Sequence, residues 1–209
     1  MKNSPLKKVL TIVGSTASGK TTLAIEIAKR INGEIISLDS RQVFKGMAIG
    51  TAQPTKKQMD AVKHHLIGCL EPAEFISSGK YASLVKEKIN DILSQNKNPI
   101  ICGGSGLYYR AIQKGIFEGS ISNLKIRSKL EVQYAKNPEF LFNKLKSIDK
   151  KYSKIVHINN RQRLIRALEI YECTGKSPSE HFQSQYVDPA KAVRLYTIFL
   201  KWERNSLNK

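Results

Sequence analysis

Apolar and polar positions follow one rhythm up to residue 117 and another from there to residue 190. The run "KKVLTIVG" is short, apolar and β-branched, which predicts a buried strand. In "TTLAIEIAKRI" the spacing changes, and Leu23, Ala24, Ile27, Ala28 and Ile31 fall on one helical stripe. The segment "GEIISLDS" predicts a second buried strand ending at Asp39 and Ser40. After a helical pattern in "YASLVKEKINDILSQ", "NPIICGGSG" predicts a third strand running into a glycine turn. Strands that alternate with helices need crossover connections, so the expected sheet is parallel.

Residues 118–190 carry amphipathic helix signals, in "LKIRSKLEVQYA", "NPEFLFNKLKSID" and "NNRQRLIRALEIYECTG". The last opens at Asn160, a good N-cap, and ends at Gly175, a good C-terminal stop. Within it Leu164, Ala167, Leu168 and Tyr171 share one face, with Gln162, Arg163 and Arg166 opposite. "AVRLYTIFL" then returns to strand character, and "WERNSLNK" reads as the opening of another helix. The expected organisation is an α/β core over 1–117, a helical insertion over 118–190 and a return to the core over 191–209. The fold class is α/β, a P-loop NTPase-like parallel sheet with helices on both faces and a helical insertion.

Between the first strand and the first helix lies GSTASGKT, which matches G-x-x-x-x-G-K-[ST] with Gly14, Gly19, Lys20 and Thr21. In this motif the backbone amides of Ser15, Thr16, Ala17, Ser18, Gly19, Lys20 and Thr21 face phosphate oxygens at a helix N-terminus. Lys20 adds charge, and the Thr21 hydroxyl can ligate Mg²⁺. Ligands of open parallel sheets collect outside the carboxyl ends of the strands, so Asp39 and Ser105 should share a crevice with Lys20. By itself Asp39 suits a helix cap, a magnesium water or a general base equally well. The adjacent His64 and His65 are poorly spaced for one metal and read as structural or as loop contacts. Trp202, Phe140 and Phe142 read as core.

Charge narrows the choice of partner. Lys plus Arg number 35 against 17 Asp plus Glu, a formal net charge of +18. Such an excess attracts polyanions, although a lysine-rich genomic composition would give the same total. Distribution says more, because residues 144–166 hold Lys144, Lys146, Lys150, Lys151, Lys154, Arg161, Arg163 and Arg166 against Asp149 alone. That clustering predicts a nucleic-acid-binding face. No apolar run approaches membrane-spanning length, and "MKNSPLKK" lacks the apolar stretch of a signal peptide. Cys69, Cys102 and Cys173 are widely spaced, as expected of a cytoplasmic protein.

Taken in order, "GSTASGKTTLA", "LDSRQVFKGMAIGTAQP", "HHLI", "GGSGLYYRAI" and "HINNRQRLIRALEIYECTGK" resemble the tRNA dimethylallyltransferase family. The resemblance implies that the loop holds the diphosphate of dimethylallyl diphosphate as a leaving group. It also implies that Asp39 takes a proton from the exocyclic amine of the adenosine beside the anticodon. Ser105 stands where the family has Thr and keeps the hydroxyl; Arg204 aligns with an arginine that helps hold the diphosphate. Asp39, Ser40, Arg41, Gln42, Ser105, Arg127, Gln162, Arg163, Leu164, Ile165 and Arg166 match family contacts to tRNA. Ser15 replaces a usual Pro, and Arg41 a smaller or apolar residue.

Family members usually continue beyond the point where this sequence stops. A monomer is expected, completed by a separate C-terminal fragment if the remainder is encoded elsewhere. Three rival readings are an isopentenyltransferase acting on free nucleotide, a small-molecule kinase using ATP, and an RNA-binding remnant without activity.

Overall fold

A computed structural model describes residues 8–114, 122–183 and 193–202. These fall into two compact units, one within Met1–Gly115 with Asp188–Lys209 and one within Ile116–Val187.

The first unit is a five-stranded sheet. Its elements run β1 (Val9–Gly14), α1 (Lys20–Ile31), β2 (Gly33–Leu38), α2 (Lys56–Ala61), β3 (His64–His65), α3 (Ser78–Ser94), β4 (Asn98–Gly103) and α4 (Gly106–Lys114). β5 (Leu195–Leu200) follows the second unit in the chain. Strand order is β3-β2-β4-β1-β5 and every pairing is parallel. The chain moves one way from β1 to β2 and the other way from β4 to β5, so the order reverses beside β1. That reversal opens a crevice at the carboxyl ends of β1, β2 and β4.

Alternation along the strands sorts the core into two layers. Ile12, Ile35, Ile100 and Cys102 form one cluster with Ala24, Ile25 and Ala28 of α1. Ile36, Leu38 and Ile101 alternate with them and so point to the other face, where α3 and α4 carry buried Tyr81, Val85, Ile89, Ile92, Tyr108 and Ile112. The α1 stripe is rotated slightly from its expected position, since Ile25 is buried and Ile31 exposed. Asn32, in the left-handed conformation, closes the helix by donating its N–H to the Ala28 carbonyl.

The second unit is helical, with α5 (Leu124–Lys136), α6 (Pro138–Ile148), α7 (Lys150–Ser153), α8 (Arg161–Thr174) and α9 (Pro178–Gln183). Its core is Leu130, Leu141, Leu145, Val156, Leu164, Ile165, Ala167 and Leu168. Asn160 caps α8 by accepting from the Arg163 amide at 3.2 Å, and Gly175 ends it in the left-handed conformation at φ 71°. Asp149 is buried and serves two helices. Its carboxylate accepts from the Tyr152 amide at 2.7 Å, capping α7, and from the Ser179 amide and hydroxyl at 2.7 and 2.9 Å. Phe142 packs against this core, whereas Phe140 is exposed and does not belong to it. The helix expected in "WERNSLNK" lies outside the described residues apart from its first position, Trp202, which is not helical.

Candidate active site

The loop between β1 and α1 is shaped by close backbone contacts. A Cβ on Gly14 would stand 2.6 Å from the Leu200 carbonyl oxygen, so only glycine lets β1 turn beside β5. Gly19 caps α1 at φ 82°, a left-handed conformation that suits glycine. The first amides of α1 have no acceptor within the helix, so they are available to an anion, and the helix dipole favours one there. The Lys20 ammonium folds back and donates to the Ser15 carbonyl and, at 3.4 Å, to Ser18 Oγ. Burial draws its pKa below the ordinary lysine value, against the opposing pull of Cys102 and Asp39. Burial pushes the neighbouring Cys102 thiol up to about 11, so it stays protonated and is no nucleophile at neutral pH.

Two adjoining clefts meet at this loop. The smaller, about 220 Å³, is lined by residues 16–22 together with Asp39, Gln42 and Cys102. The larger, about 450 Å³, is lined by Gly14, Ser15, Thr16, Asp39, Ser40, Arg41, residues 49–52, Gly104 and Ser105. Asp39 and Thr16 border both. Carboxylate, loop amides and Lys20 are therefore neighbours around one space, as their positions at strand ends require.

Asp39 is held by its own backbone. Its Oδ1 accepts from the amides of Arg41 at 2.8 Å and Gln42 at 3.2 Å, which leaves Oδ2 without a hydrogen bond among the described residues. Behind it, Tyr81 donates its hydroxyl to the Ser37 carbonyl at 2.6 Å and stacks on Tyr108 with ring centroids 4.1 Å apart. Ser105 is placed by the Leu38 carbonyl, which accepts the Gly104 and Ser105 amides at 3.1 and 3.0 Å. A Cβ on Gly103 would collide with that same Leu38 carbonyl, so β4 approaches β2 closely enough to fix the turn.

Several expected site residues behave differently. Gln42 is no free contact: its amide donates to the Thr51 and Ala52 carbonyls at 3.2 and 3.0 Å and accepts from Ser37 Oγ at 3.1 Å. With Gln53, which donates to the Gln42 and Phe44 carbonyls, it braces the loop forming one lip of the larger cleft. Leu164 and Ile165 are buried in the helical core, because two adjacent apolar residues lie within its wide apolar stripe. Their side chains present nothing to a ligand. Gln162 and Arg163 are exposed. Arg127 and Arg166 are both held by buried Glu169. Trp202 is an exposed ring that donates its indole N–H to the Ser18 carbonyl at 3.1 Å, so it clasps the loop and is not core. Arg204 lies outside the described residues.

The basic run of the helical unit also divides. Lys144 pairs with Glu172 at 2.6 Å, and Arg161 pairs with Glu131. Lys146, Lys150, Lys151, Lys154 and Arg163 are exposed and make no ion pair among the described residues. His65 bonds Glu34 at 2.6 Å and is structural.

Among the described residues no cluster of three or more His, Cys, Asp or Glu could hold a metal ion. Oxygen ligands remain, with Thr21 and Asp39 both lining the smaller cleft. Such a sparse, all-oxygen set fits Mg²⁺, which keeps several waters and takes further ligands from substrate phosphates.

A glycine-bounded loop and a carboxylate at the reversal of a parallel sheet belong to an α/β fold of the P-loop NTPase-like kind. The particular family follows from comparison. The family model for IPP transferase matches residues 42–209, and the chain belongs to that family. It is 45% identical over 188 residues to a tRNA dimethylallyltransferase of Acetivibrio thermocellus, covering 89% of this chain and 60% of that protein. It is 44% identical over 201 residues to one of Oceanobacillus iheyensis, covering 95% and 64%. The crystal structure of a tRNA isopentenylpyrophosphate transferase from Bacillus halodurans superposes with a TM-score of 0.59 at 39% identity, over 96% of this chain and 62% of that one. A eukaryotic dimethylallyltransferase acting on tRNA gives 0.74 at 30% identity, over 93% and 48%. The chain thus spans about 60% of the length of the curated relatives it matches. Among the described residues no helix is long and apolar enough to cross a membrane.

Proposed function

We propose that this chain carries the catalytic core for moving a dimethylallyl group from dimethylallyl diphosphate to the exocyclic amine of the adenosine beside the anticodon of a tRNA. One observation carries the reading: the anion loop and the pinned carboxylate of Asp39 line the same cleft. A phosphate loop with no further acid or base would serve binding alone. A carboxylate with one oxygen fixed and the other open is arranged to accept a proton.

The adenine nitrogen attacks the allylic carbon, forming a C–N bond as the C–O bond to diphosphate breaks. The proton lost by nitrogen passes to Asp39 Oδ2. Loop amides from Ser15 to Thr21 and the Lys20 ammonium meet the charge that grows on the departing diphosphate, an effect aimed at the transition state. Thr21 is the residue that would hold Mg²⁺, and the bound ion would neutralise further charge on the diphosphate. Ser105, at the mouth of the larger cleft, offers a hydroxyl to the incoming base. The exposed cations Lys146, Lys150, Lys151, Lys154 and Arg163 would meet tRNA phosphates. The base reaches the crevice only by leaving its stack, as in other enzymes that modify a base. The free thiols of Cys69, Cys102 and Cys173 suit a cytoplasmic setting.

The test is purified chain with Mg²⁺, dimethylallyl diphosphate labelled in its prenyl carbons, and unmodified tRNA. The reading expects labelled nucleoside at the position beside the anticodon. Binding of tRNA with no labelled product would return the chain to an RNA-binding remnant, and ATP turnover dependent on a small acceptor would make it a kinase.

A further inference from the structure

The helical unit buries one carboxylate with unusual company. Glu169, in the middle of α8, has no accessible side-chain surface. One oxygen, Oε1, accepts from the Asn123 amide at 2.9 Å and from Ser122 Oγ at 3.1 Å, both at the entrance to α5. The other, Oε2, accepts from Arg166 at 2.7 Å and lies 3.3 Å from an Arg127 guanidinium nitrogen. Asn123 is itself the cap of α5, accepting from the Lys125 and Ile126 amides at 3.0 and 3.2 Å. A single carboxylate therefore fixes a helix start on one oxygen and two arginines on the other. Burial alone would raise its pKa. The hydrogen bond from Arg166, that from the Asn123 amide and the field of Arg127 outweigh burial and hold it below the usual carboxylate range.

The arrangement is asymmetric in charge and in exposure. One carboxylate faces two guanidinium groups. The carboxylate is sealed, while Arg127 and Arg166 keep 33% and 26% of their side-chain surface open. An ion pair serving only to join α5 to α8 needs one arginine. Two arginines anchored from beneath, on neighbouring helices, form a fork whose orientation is settled before any ligand arrives. Pre-set guanidinium planes suit phosphate oxygens, which they bind in parallel hydrogen bonds.

We infer that Glu169 is a positioning residue that holds Arg127 and Arg166 as a pre-oriented pair for RNA backbone phosphate. The inference rests on the tRNA reading above and adds to it a residue that touches no RNA. Removing the carboxylate charge raises the local positive charge, which by itself would strengthen attraction to RNA, so any weakening must come from the arginines. Its loss acts through the freedom the two arginines gain.

The experiment is a double-mutant cycle on binding of an unmodified tRNA transcript to the full chain. Glu169→Gln retains an acceptor for Asn123 and Ser122 and removes the charge that holds the arginines. It is expected to weaken binding about tenfold in the parent and less than about twofold when Arg127→Ala and Arg166→Ala are already present. A merely structural Glu169 would weaken binding equally in both backgrounds, and that result overturns the inference, as does tighter binding by the single variant. A parent chain that binds no tRNA overturns both this inference and the tRNA reading, whereas an additive cycle with normal parent binding overturns this one alone. If Glu169→Gln does not fold, the parent supplies a second measurement: the guanidinium Nη–H resonances of Arg127 and Arg166 should be protected from exchange in the free protein and shift when the transcript is added. Unprotected resonances, or resonances unmoved by the transcript, overturn the inference.

Discussion

Each unit of this protein buries a glutamate against cations, and the two are built for different ends. Glu34, near the start of β2, accepts from His65 at 2.6 Å and Lys97 at 2.5 Å, with Lys63 at 3.9 Å. It lies at the end of the sheet away from Gly14, Leu38 and Gly103, where the crevice opens. Its partners join β2, β3 and the turn before β4, so its product is a rigid sheet. Glu169 instead holds two arginines that remain partly open. The α/β unit places its chemistry at strand ends, where backbone hydrogen bonds fix it. The helical unit places its charge on side chains, and only a buried carboxylate can orient those. A catalytic group needs the first kind of support, whereas a surface that grips a polyanion can use the second.

The contrast is broken most severely at Asp39. Asp39→Ala should lower turnover by about 10² to 10⁴ while tRNA affinity stays within a few-fold, measured by single-turnover transfer and by filter binding. A variant that loses affinity and keeps turnover would move the catalytic role out of the α/β unit. Leu164→Ala tests the opposite unit. It removes side-chain volume from the helical core and should cost about 2–5 kcal/mol of unfolding free energy, read in a denaturant titration. Unchanged stability would mean that Leu164 is a surface residue after all.

Lys20→Ala should raise the KM for dimethylallyl diphosphate and slow turnover, by roughly 10- to 100-fold in kcat/KM, since a hydrogen bond to a charged group contributes about 1.5–3 kcal/mol. Normal values of both constants would remove the loop from the reaction. Arg163→Ala sharpens the account of the helical unit at smaller scale. Each lost phosphate contact should lower the slope of log affinity against log salt by a little under one unit. An unchanged slope with poorer discrimination between tRNAs would assign Arg163 to base reading.

Asp149 gives the mildest effect. Burial alone would raise its pKa, but the amides of Tyr152 and Ser179 and the Ser179 hydroxyl together depress it. A carboxylate depressed in the folded state adds stability above its unfolded pKa, near 3.9, and loses it as pH falls through the folded value. The helical unit should therefore weaken below about pH 4, and Asp149→Asn should flatten that dependence in acid titrations followed by circular dichroism. An identical acid profile in the variant would show that the carboxylate is not depressed.

The two units were not equally legible in the sequence. Strand β1, the loop and helix α1 follow from local pattern, because a buried parallel strand, a glycine turn and an amphipathic helix each have their own residue signature. Asn160 and Gly175 marked the ends of α8 for the same reason. What escaped depends on partners distant in sequence. Gln42 lies in a polar motif, yet its amide is used by the backbone of Thr51 and Ala52. Tyr81 meets Ser37 across 44 positions, and Trp202 meets Ser18 across 184. The pairing of Glu169 with Arg127 spans helices, which periodicity cannot show; it placed Arg166 opposite the apolar face and said nothing of Arg127. Leu164 is the exception, since the helical stripe already placed it on the apolar face, whereas the burial of Ile165 beside it was not read.

In the proposed reaction the loop holds a leaving group and not a phosphoryl donor. Dimethylallyl diphosphate carrying a carbon label in the prenyl chain and a phosphorus label in the diphosphate tests it most directly, in one turnover with unmodified tRNA and Mg²⁺. Prenyl transfer puts carbon label on the RNA and phosphorus label in free diphosphate, in equal amounts. Phosphorus label on the acceptor would contradict it, as would diphosphate released with no carbon gained by the RNA.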